Sequence, residues 1–205
     1  MPRKGLLIAF EGLDRAGKTT CISALVDSLK NRKIQTELIR FPLYETKIGQ
    51  IIRSHVIDNV PIEPHAIHLL FSANRWEMKD KIETLLSQGV CLVLDRYFYS
   101  GITYTAAKGI PYDWCLSPDS GLPIPDITFF LSLTPEEAAA RMGYGEDIYE
   151  EKAFQDKIRT LYSRFEKNKE WMKIDAARTK EEVLADITHA LDPLLAGKKL
   201  QSTPK

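Results

Sequence analysis

The sequence predicts an α/β fold, a doubly wound five-stranded parallel sheet flanked by helices. Short, continuously apolar runs, typical of strands buried on both faces, alternate along the chain with segments of helical periodicity. Such alternation requires right-handed crossovers between parallel strands and places the functional site at the carboxyl ends of the strands. The 205 residues are 44% apolar and 27% charged, which is typical of a soluble globular protein.

The pattern assigns the elements in order. The predicted strands are residues 6–10, 34–41, 90–94, 127–133 and 171–174. A helix follows the first strand, with Ile22, Leu25, Val26 and Leu29 on one face, and further helices are predicted at 64–88, 136–142, 153–169 and 180–195. We expect a single domain over residues 1–196, with a lid at 141–149, and a disordered polar tail at 197–205.

Charge and composition exclude several classes of partner. Lys plus Arg is 28 and Asp plus Glu is 28, so the net charge is 28 − 28 = 0 and no global field attracts nucleic acid or an anionic membrane. No apolar run reaches the roughly 18 to 20 residues that cross a bilayer, and no signal-peptide pattern follows Met1. We therefore expect a cytoplasmic protein. Cys21, Cys91 and Cys115 lack CxxC spacing and predict neither a disulfide framework nor a zinc site.

The most specific motif lies between the first predicted strand and the first predicted helix. Residues 12–19, GLDRAGKT, fit the phosphate-loop pattern GxxxxGK[ST]. In this motif backbone N–H groups hold phosphate oxygens, the lysine (Lys18) reaches the terminal phosphates and the hydroxyl (Thr19) ligates Mg²⁺. The motif predicts a nucleoside triphosphate but leaves open whether water, a protein or a second nucleotide accepts the phosphoryl group. The absence of an NKxD sequence weakens a GTPase interpretation.

Two further pairs of residues suit phosphate and base binding. Asp95 can hold hydrated Mg²⁺ and Arg96 suits bidentate phosphate binding, close to the phosphate loop if the first and third strands are neighbours, although such a pair can also cap a helix. Phe71 and Arg75, four residues apart on one helix face, could meet one flat base, but Phe71 could equally belong to the core.

Four other residues are less specific candidates for a functional role. Arg15 in the phosphate loop, or Arg141 before the predicted lid, could stabilise charge on a transferred phosphoryl group. His65 and His68 share a helix face but have no third ligand at metal spacing, so they are assigned no role.

Together these segments resemble the thymidylate kinases of the eukaryotic type, a family of P-loop nucleoside monophosphate kinases, from about residue 5 to residue 192. The motifs occur in the family's order: FEGLDRAGKTT from Phe10, LLFSANRWE from Leu69, DRYFYSG from Asp95, SGLPIPD from Ser120, and Tyr149-Glu150 at the end of the lid. The resemblance implies ATP-dependent phosphorylation of dTMP to dTDP in dTTP biosynthesis, with Mg²⁺ as cofactor and a homodimer packed through helices.

The resemblance also implies roles for individual residues. Asp14 would meet the sugar 3′-hydroxyl, Phe71 would stack on thymine, Arg75 would donate to its O4, and Arg96 would clamp the acceptor phosphate. The implied catalytic residues are Arg15, Lys18, Asp95 and Arg96, with Thr19 and Asp95 as metal ligands. The implied ATP contacts are Gly12, Asp14, Arg15, Ala16, Gly17, Lys18, Thr19, Thr20, Arg141 and Arg178, the last two against adenine. The implied dTMP contacts are Asp14, Phe41, Tyr44, Phe71, Arg75, Arg96, Gly101, Tyr104, Tyr149 and Gln155, with Tyr104 suited to disfavour a ribose.

Two positions depart from the family pattern. Tyr44 stands where the family's Phe-Pro-x-Arg has an arginine, and since a neutral donor is worth roughly half a charge-assisted one, Arg96 must carry more of the phosphate clamp or Arg40 must help. Phe98 stands where many relatives have alanine, and its bulk could reshape the floor of the pocket. Thymine and uracil differ by one methyl group, worth roughly 1 kcal/mol, so the altered pocket predicts measurable activity on dUMP.

Two rival functions remain compatible with the motifs. A deoxynucleoside kinase would use the same fold on an uncharged acceptor, and thymidine tested beside dTMP separates the two. A phosphate-loop switch or scaffold would use ATP to order the lid for a partner, and it would leave the pair Phe71 and Arg75 without a purpose. Saturable dTMP binding without phosphate transfer would favour the scaffold.

Overall fold

The computed structural model describes residues 4–134, 137 and 152–202. Five strands form one parallel sheet in the order β2-β3-β1-β4-β5. The strands are β1 (Leu7–Gly12), β2 (Thr36–Arg40), β3 (Cys91–Asp95), β4 (Ile127–Ser132) and β5 (Trp171–Asp175). The predicted doubly wound sheet and its five strands are confirmed.

Helices cover both faces of this sheet. They are α1 (Lys18–Asn31), α2 (Lys47–Val56), α3 (Pro64–Trp76), α4 (Lys79–Gln88), α5 (Phe98–Ala106), α6 (Tyr112–Leu116), α7 (Lys152–Tyr162) and α8 (Lys180–Ala196), with 3₁₀ turns at Ser117–Asp119 and Ser163–Phe165. No helix in the described part of the chain combines the length and apolarity needed to cross a bilayer. The helix predicted at 136–142 and the lid predicted at 141–149 lie outside the described residues, residue 137 apart.

The side chains of β1 show how the two faces are covered. Ile8 and Phe10, with Leu6 directly before the strand, are buried in a core with α1 and α8, whereas Leu7 and Ala9 are buried in a second core with α4. This alternation follows from the pleat of a strand, which sends successive side chains to opposite faces. A third core packs α5, α6 and α7 together. The run from Leu6 to Phe10 is therefore apolar, as predicted, because neither face of the strand meets water.

The helices differ from the prediction in three ways. The helix predicted at 64–88 is two helices, since the chain turns at Glu77–Met78, where the Met78 N–H donates to the carbonyl of Arg75. Helices α2, α5 and α6 were not predicted; α5, with sequence FYSGITYTA, is rich in aromatic and β-branched residues and contains a glycine, all weak helix formers. The helix predicted at 153–169 ends at Tyr162 and continues as a 3₁₀ turn.

The tail predicted to be disordered is attached to the sheet as far as Ser202. The Gln201 N–H donates to the carbonyl of Gly89, and the Gln201 carbonyl accepts from the N–H of Gln35. Lys198 pairs with Asp126 at 2.9 Å, and Leu200 packs against the core of α1 and α8. These contacts could not be predicted from the polar composition of the tail, because one apolar side chain, one ion pair and backbone hydrogen bonds suffice to hold the segment. Residues 203–205 lie outside the described residues.

The strand register creates one polar edge. Asp95 at the end of β3 lies opposite Phe10 of β1 on one side and Arg40 of β2 on the other. The first and third strands are thus neighbours, which is the condition on which the proximity of Asp95 and Arg96 to the phosphate loop depended. This strand order places the loops after β1, β2 and β3 together at the carboxyl ends of the strands.

Candidate active site

The phosphate loop begins where β1 ends, at a position that only glycine can occupy. Gly12 has φ +146°, and a Cβ there would lie 2.5 Å from the carbonyl oxygen of Leu131. Gly17, with φ +87°, precedes the first residue of α1. The backbone N–H groups at the start of α1 therefore face the loop, as an anion site requires.

Lys18 lies inside this loop. Its Nζ donates to the carbonyl oxygens of Gly12 at 3.1 Å and Leu13 at 2.7 Å. Burial of the ammonium group, helped by the positive charge of Arg96, lowers the pKa of Lys18 to about 8. The loop thus keeps a cation beside its backbone donors, ready for a phosphate.

Two arginines of the site have left-handed backbone conformations. Arg15 in the phosphate loop has φ +63° and Arg96 after β3 has φ +64°. This conformation costs a residue with a Cβ about 1 kcal/mol or more, so contacts with the surrounding structure must stabilise it. Strained backbone at both guanidinium-bearing residues is typical of a functional site.

A cavity of about 590 Å³ lies over the phosphate loop. We call it the phosphate-loop cavity. It is lined by Asp14, Arg15, Gly17, Lys18, Thr19, Thr20, Arg40, Phe41, Asp95 and Arg96. Most residues predicted to contact the triphosphate therefore line one space; Gly12 and Ala16 belong to the backbone of the same loop.

A second cavity, of about 790 Å³, lies beside the first. We call it the aromatic cavity. Of the residues predicted to bind the acceptor, it is lined by Asp14, Phe41, Tyr44, Phe71, Arg75, Arg96, Gly101 and Tyr104, joined by Tyr97, Met78 and Lys108 among others. Helix α3, the loop after β2 and helix α5 contribute these side chains.

The two cavities share Asp14, Arg40, Phe41 and Arg96 in their linings. Ligands in the two spaces would therefore approach each other at the Arg96 guanidinium. A phosphate loop on one side and an aromatic, base-sized space on the other is an arrangement suited to transfer between two nucleotides.

Arg96 is held where the cavities meet. Its guanidinium pairs with the Asp14 carboxylate, and its Nη1 donates to the Gly12 carbonyl at 3.3 Å and to Ser100 Oγ at 3.1 Å. The Tyr104 hydroxyl donates to Asp14 at 2.8 Å. Burial alone would raise the pKa of Asp14, but the positive charges of Arg96 and Lys18 together lower it below its usual value. Asp14 is therefore a carboxylate that orients Arg96.

Arg75 is oriented by a residue that the sequence did not point to. Its Nε and Nη2 donate to the two oxygens of Asp119 at 2.9 and 2.7 Å, and both side chains are buried. A Cβ on Gly101 would lie 2.7 Å from Arg75 Nη2, so only glycine leaves room for the guanidinium. The remaining N–H groups of Arg75 can donate to a ligand that offers an acceptor.

The loop that carries Tyr44 is fixed by α3. Asn74 accepts from the Leu43 N–H at 2.7 Å and donates to the Leu43 carbonyl at 3.1 Å. Arg40, one of the two cations expected to compensate for the missing arginine, lines both cavities and donates to Asp95 at 2.8 Å. Tyr44 and Arg40 therefore border the same space.

Thr19 and Asp95, the predicted metal ligands, both line the phosphate-loop cavity. Their hydroxyl and carboxylate oxygens are the hard donors that Mg²⁺ prefers, and Mg²⁺ commonly needs only one or two protein oxygens besides phosphate. The residues present fit the ion.

The remaining predicted residues are distributed as follows. Gln155 on α7 lies within 3.5 Å of Asp14. Arg178 pairs with Asp186 and is exposed, so its place against adenine stays a prediction. Arg141 and Tyr149 lie outside the described residues. Glu11 and Asp119 were not predicted; a glutamate between the apolar run at 6–10 and the phosphate loop was the available signal for Glu11.

The fold and the site define a class: a P-loop protein with a second ligand space at the carboxyl edge of its sheet. The family model described as Thymidylate kinase matches residues 10–187. The chain is 48% identical over 191 residues to a thymidylate kinase of Danio rerio (90% of this chain, 89% of the relative) and 44% identical over 188 residues to one of Homo sapiens (90% and 89%). A solved thymidylate kinase of Candida albicans, described as having broad substrate specificity and a novel structural element, superposes with a TM-score of 0.87 at 35% identity, covering 100% of both chains. The chain belongs to the thymidylate kinase family, and it is a phosphotransferase.

Proposed function

We propose that this chain transfers the γ-phosphoryl group of ATP to the 5′-phosphate of dTMP. The observation that carries the proposal is that the phosphate-loop cavity and the aromatic cavity meet at Arg96. Family membership and the names of the relatives support the same acceptor. Positioning and charge neutralisation would supply most of the rate enhancement.

On the donor side, Lys18 and Arg15 would oppose the negative charge that spreads over the transferred group. Lys18 is held by loop carbonyls within hydrogen-bond distance, so it needs little reorganisation to reach a phosphate. Thr19 and Asp95 would hold Mg²⁺, which supplies charge neutralisation when it is bound. The Asp95 carboxylate is already oriented by Arg40.

On the acceptor side, Phe71 would stack on the base and Arg75 would read it. Because Asp119 engages Nε and Nη2, the N–H groups left on Arg75 favour a base that presents a carbonyl oxygen, such as thymine or uracil, over cytosine, which presents an amino group there. Tyr104, hydrogen-bonded to Asp14, would line the sugar and disfavour a 2′-hydroxyl.

We also propose activity on dUMP. Loss of the thymine methyl group costs about 1 kcal/mol in an apolar pocket, and Tyr44, which departs from the family pattern, lines the aromatic cavity. Phe98, the other departure, lines neither cavity as described above and packs against the rings of Tyr97 and Tyr99. The Candida albicans relative, described as having broad substrate specificity, offers a precedent.

A homodimer is the proposed assembly, and the cytoplasm the proposed location. Apolar side chains of α2, α3 and the loop between them are exposed although α2 and α3 pack on each other: Ile51, Ile57, Val60 and Leu69. Exposed apolar side chains on adjoining helices are typical of a protein interface.

The experiment is an acceptor screen with MgATP against dTMP, dUMP, dCMP and thymidine. We expect transfer to dTMP, weaker but measurable transfer to dUMP, and little to the other two. Lys18→Ala and Arg15→Ala should lower turnover by orders of magnitude in folded protein, whereas Phe71→Ala should mainly raise the KM for dTMP.

Three outcomes would contradict parts of the proposal. Preferential use of thymidine would identify a deoxynucleoside kinase, and dTMP binding without transfer would favour a scaffold. A kcat/KM for dTMP far more than about 200 times that for dUMP would contradict the proposed activity on dUMP.

A further inference from the structure

We infer that Glu11 is a positioning residue: from within the sheet, its carboxylate holds Arg96, through Ser100, at the point where the two cavities meet. The inference rests on the proposed function, in which Arg96 binds the acceptor phosphate. Glu11 itself lines neither cavity as described above, so its action must pass through other side chains.

Glu11 is a carboxyl group in an apolar setting. It precedes the last residue of β1, points to the same face as Leu7 and Ala9, and is 0% exposed. A buried carboxyl group is costly unless hydrogen bonds compensate it. This desolvation cost arises directly beside the phosphate loop. An apolar residue at position 11 would continue the strand pattern without it.

Four donors converge on this carboxyl group. Oε1 accepts from the backbone N–H groups of Tyr97 at 2.8 Å and Ser100 at 3.2 Å. Oε2 accepts from the Ser100 hydroxyl and from the Tyr162 hydroxyl, the latter at 2.9 Å. Burial raises the pKa of Glu11, an effect that the Ser100 hydrogen bond and the charge of Arg96 oppose. A set consisting of donors alone fits a carboxylate.

Ser100 connects Glu11 to the site. Because its hydroxyl proton is directed to Glu11, its oxygen lone pairs are available to Arg96 Nη1, which donates to it at 3.1 Å. We call these two hydrogen bonds, from Arg96 to Ser100 and from Ser100 to Glu11, the relay. The direction of its hydrogen bonds depends on Glu11 being an acceptor.

The backbone of Arg96 is attached to the same strand. The Arg96 N–H donates to the Phe10 carbonyl at 3.0 Å, and the next N–H, of Tyr97, donates to Glu11. Arg96 itself has φ +64°. Strand β1 therefore secures both the strained backbone and, through Ser100, the side chain of Arg96.

The test is Glu11→Gln, with Asp126→Asn as the matched control. Glu11→Gln keeps the volume but replaces one oxygen by an amide N–H₂ group; facing Ser100, this group would turn the serine proton towards Arg96 and break the relay. Asp126 is also a carboxylate that accepts from a backbone N–H of the sheet, that of Leu7 at 2.8 Å, but at the opposite, amino end. Both substitutions remove one charge and weaken one anchor of the sheet.

We expect Glu11→Gln to raise the KM for dTMP about tenfold, the order expected when a charge-assisted hydrogen bond is lost. The KM for ATP should change much less, and Asp126→Asn should change neither KM. Ser100→Ala, which removes the relay together with the hydrogen bond between the Ser100 and Tyr162 hydroxyls, should act in the same direction as Glu11→Gln. It decides the question, through the position of Arg96, if Glu11→Gln does not fold. Crystal structures of Glu11→Gln and Ser100→Ala should show the Arg96 guanidinium displaced from Asp14 and Gly12.

An unchanged KM for dTMP with Arg96 in place in both variants would overturn the inference, as would an equal rise in KM in Asp126→Asn. If the wild-type protein transfers nothing to dTMP, the proposed function fails. The position of Arg96 in the crystal structures would still decide the role of Glu11.

Discussion

At the scale of single residues, Lys18 shows how burial prepares a group for its ligand. Desolvation and the nearby charge of Arg96 lower its pKa from 10.5 to about 8. A phosphate-binding lysine must be protonated, and a bound polyphosphate would favour the protonated form. Ligand binding and proton binding at Lys18 are therefore coupled.

The coupling predicts a pH-dependent affinity for MgATP. Above about pH 8 the nucleotide-free protein loses the Lys18 proton, so the Kd for MgATP should rise about tenfold between about pH 7 and about pH 9. Isothermal titration calorimetry over this range measures it. Lys18→Arg is the control, because a guanidinium stays protonated throughout; its absolute affinity is expected to be lower, and only the slope is compared. A flat profile for the wild-type protein, or an equal slope in Lys18→Arg, would contradict the prediction.

Functional residues could be predicted from the sequence where the chemistry of a site requires a fixed spacing along the chain. The phosphate loop, Asp95-Arg96 and the pair Phe71 and Arg75 were all singled out from the sequence, and the structure brings them together around two adjoining cavities. Asp119 was not predicted, because its partner Arg75 lies 44 positions away and no local pattern marks a long-range ion pair.

At the scale of elements, α3 is attached to the 3₁₀ turn at Ser117–Asp119. Ser72 donates to Asp119 at 2.9 Å, Arg75 pairs with Asp119 through two hydrogen bonds, and Trp76 Nε1 donates to the Pro118 carbonyl at 2.8 Å. One face of the helix thus presents Arg75 to the aromatic cavity from a rigid support.

Asp119→Asn tests this support. It leaves the Arg75 charge buried without a counter-charge, which we expect to lower the free energy of unfolding by about 3 kcal/mol or more and to reduce discrimination of dTMP against dCMP. Urea unfolding and the two kcat/KM values measure these effects. Asp192→Asn is the control, since its pair with Arg32 has the same 2.7 Å distance but is exposed, and it should cost no more than about 0.5 kcal/mol. Equal losses in the two variants would contradict the assigned role.

The helices and strands that could be predicted are those with a clear local sequence pattern. All five strands were predicted. Strands β1, β3 and β4 are buried on both faces and read as apolar runs, whereas the edge strands β2 and β5 are only partly buried and were identified from alternation or from a short strand-type segment. Helix α5 was missed because its residues favour strands; its first turn is held by Glu11, which lies 86 residues from Tyr97, and by packing against α6 and α7. Tertiary contacts outweigh intrinsic preference there.

At the scale of the whole molecule, the exposed apolar side chains of α2 and α3 predict the assembly. Leu69 is 48% exposed on α3, and Leu69→Glu should place a charge in the proposed dimer interface and shift the protein to monomers. Sedimentation equilibrium should give twice the mass of one chain for the wild type and one chain for the variant. Ile124→Glu is the control: Ile124 is 60% exposed, but it lies on the connection before β4, and its substitution should leave the dimer intact. A monomeric wild type would contradict the proposed assembly.

The sequence by itself determined the sheet, the phosphate loop and the family resemblance, because apolar periodicity and a contiguous nucleotide motif are local properties of a chain. Only the tertiary structure decided that the two cavities share Arg96, that Asp119 orients Arg75, and that Glu11 reaches α5. These relations join residues far apart in the chain. They depend on strand order and register, which place distant loops at one edge of the sheet and leave no trace in local spacing.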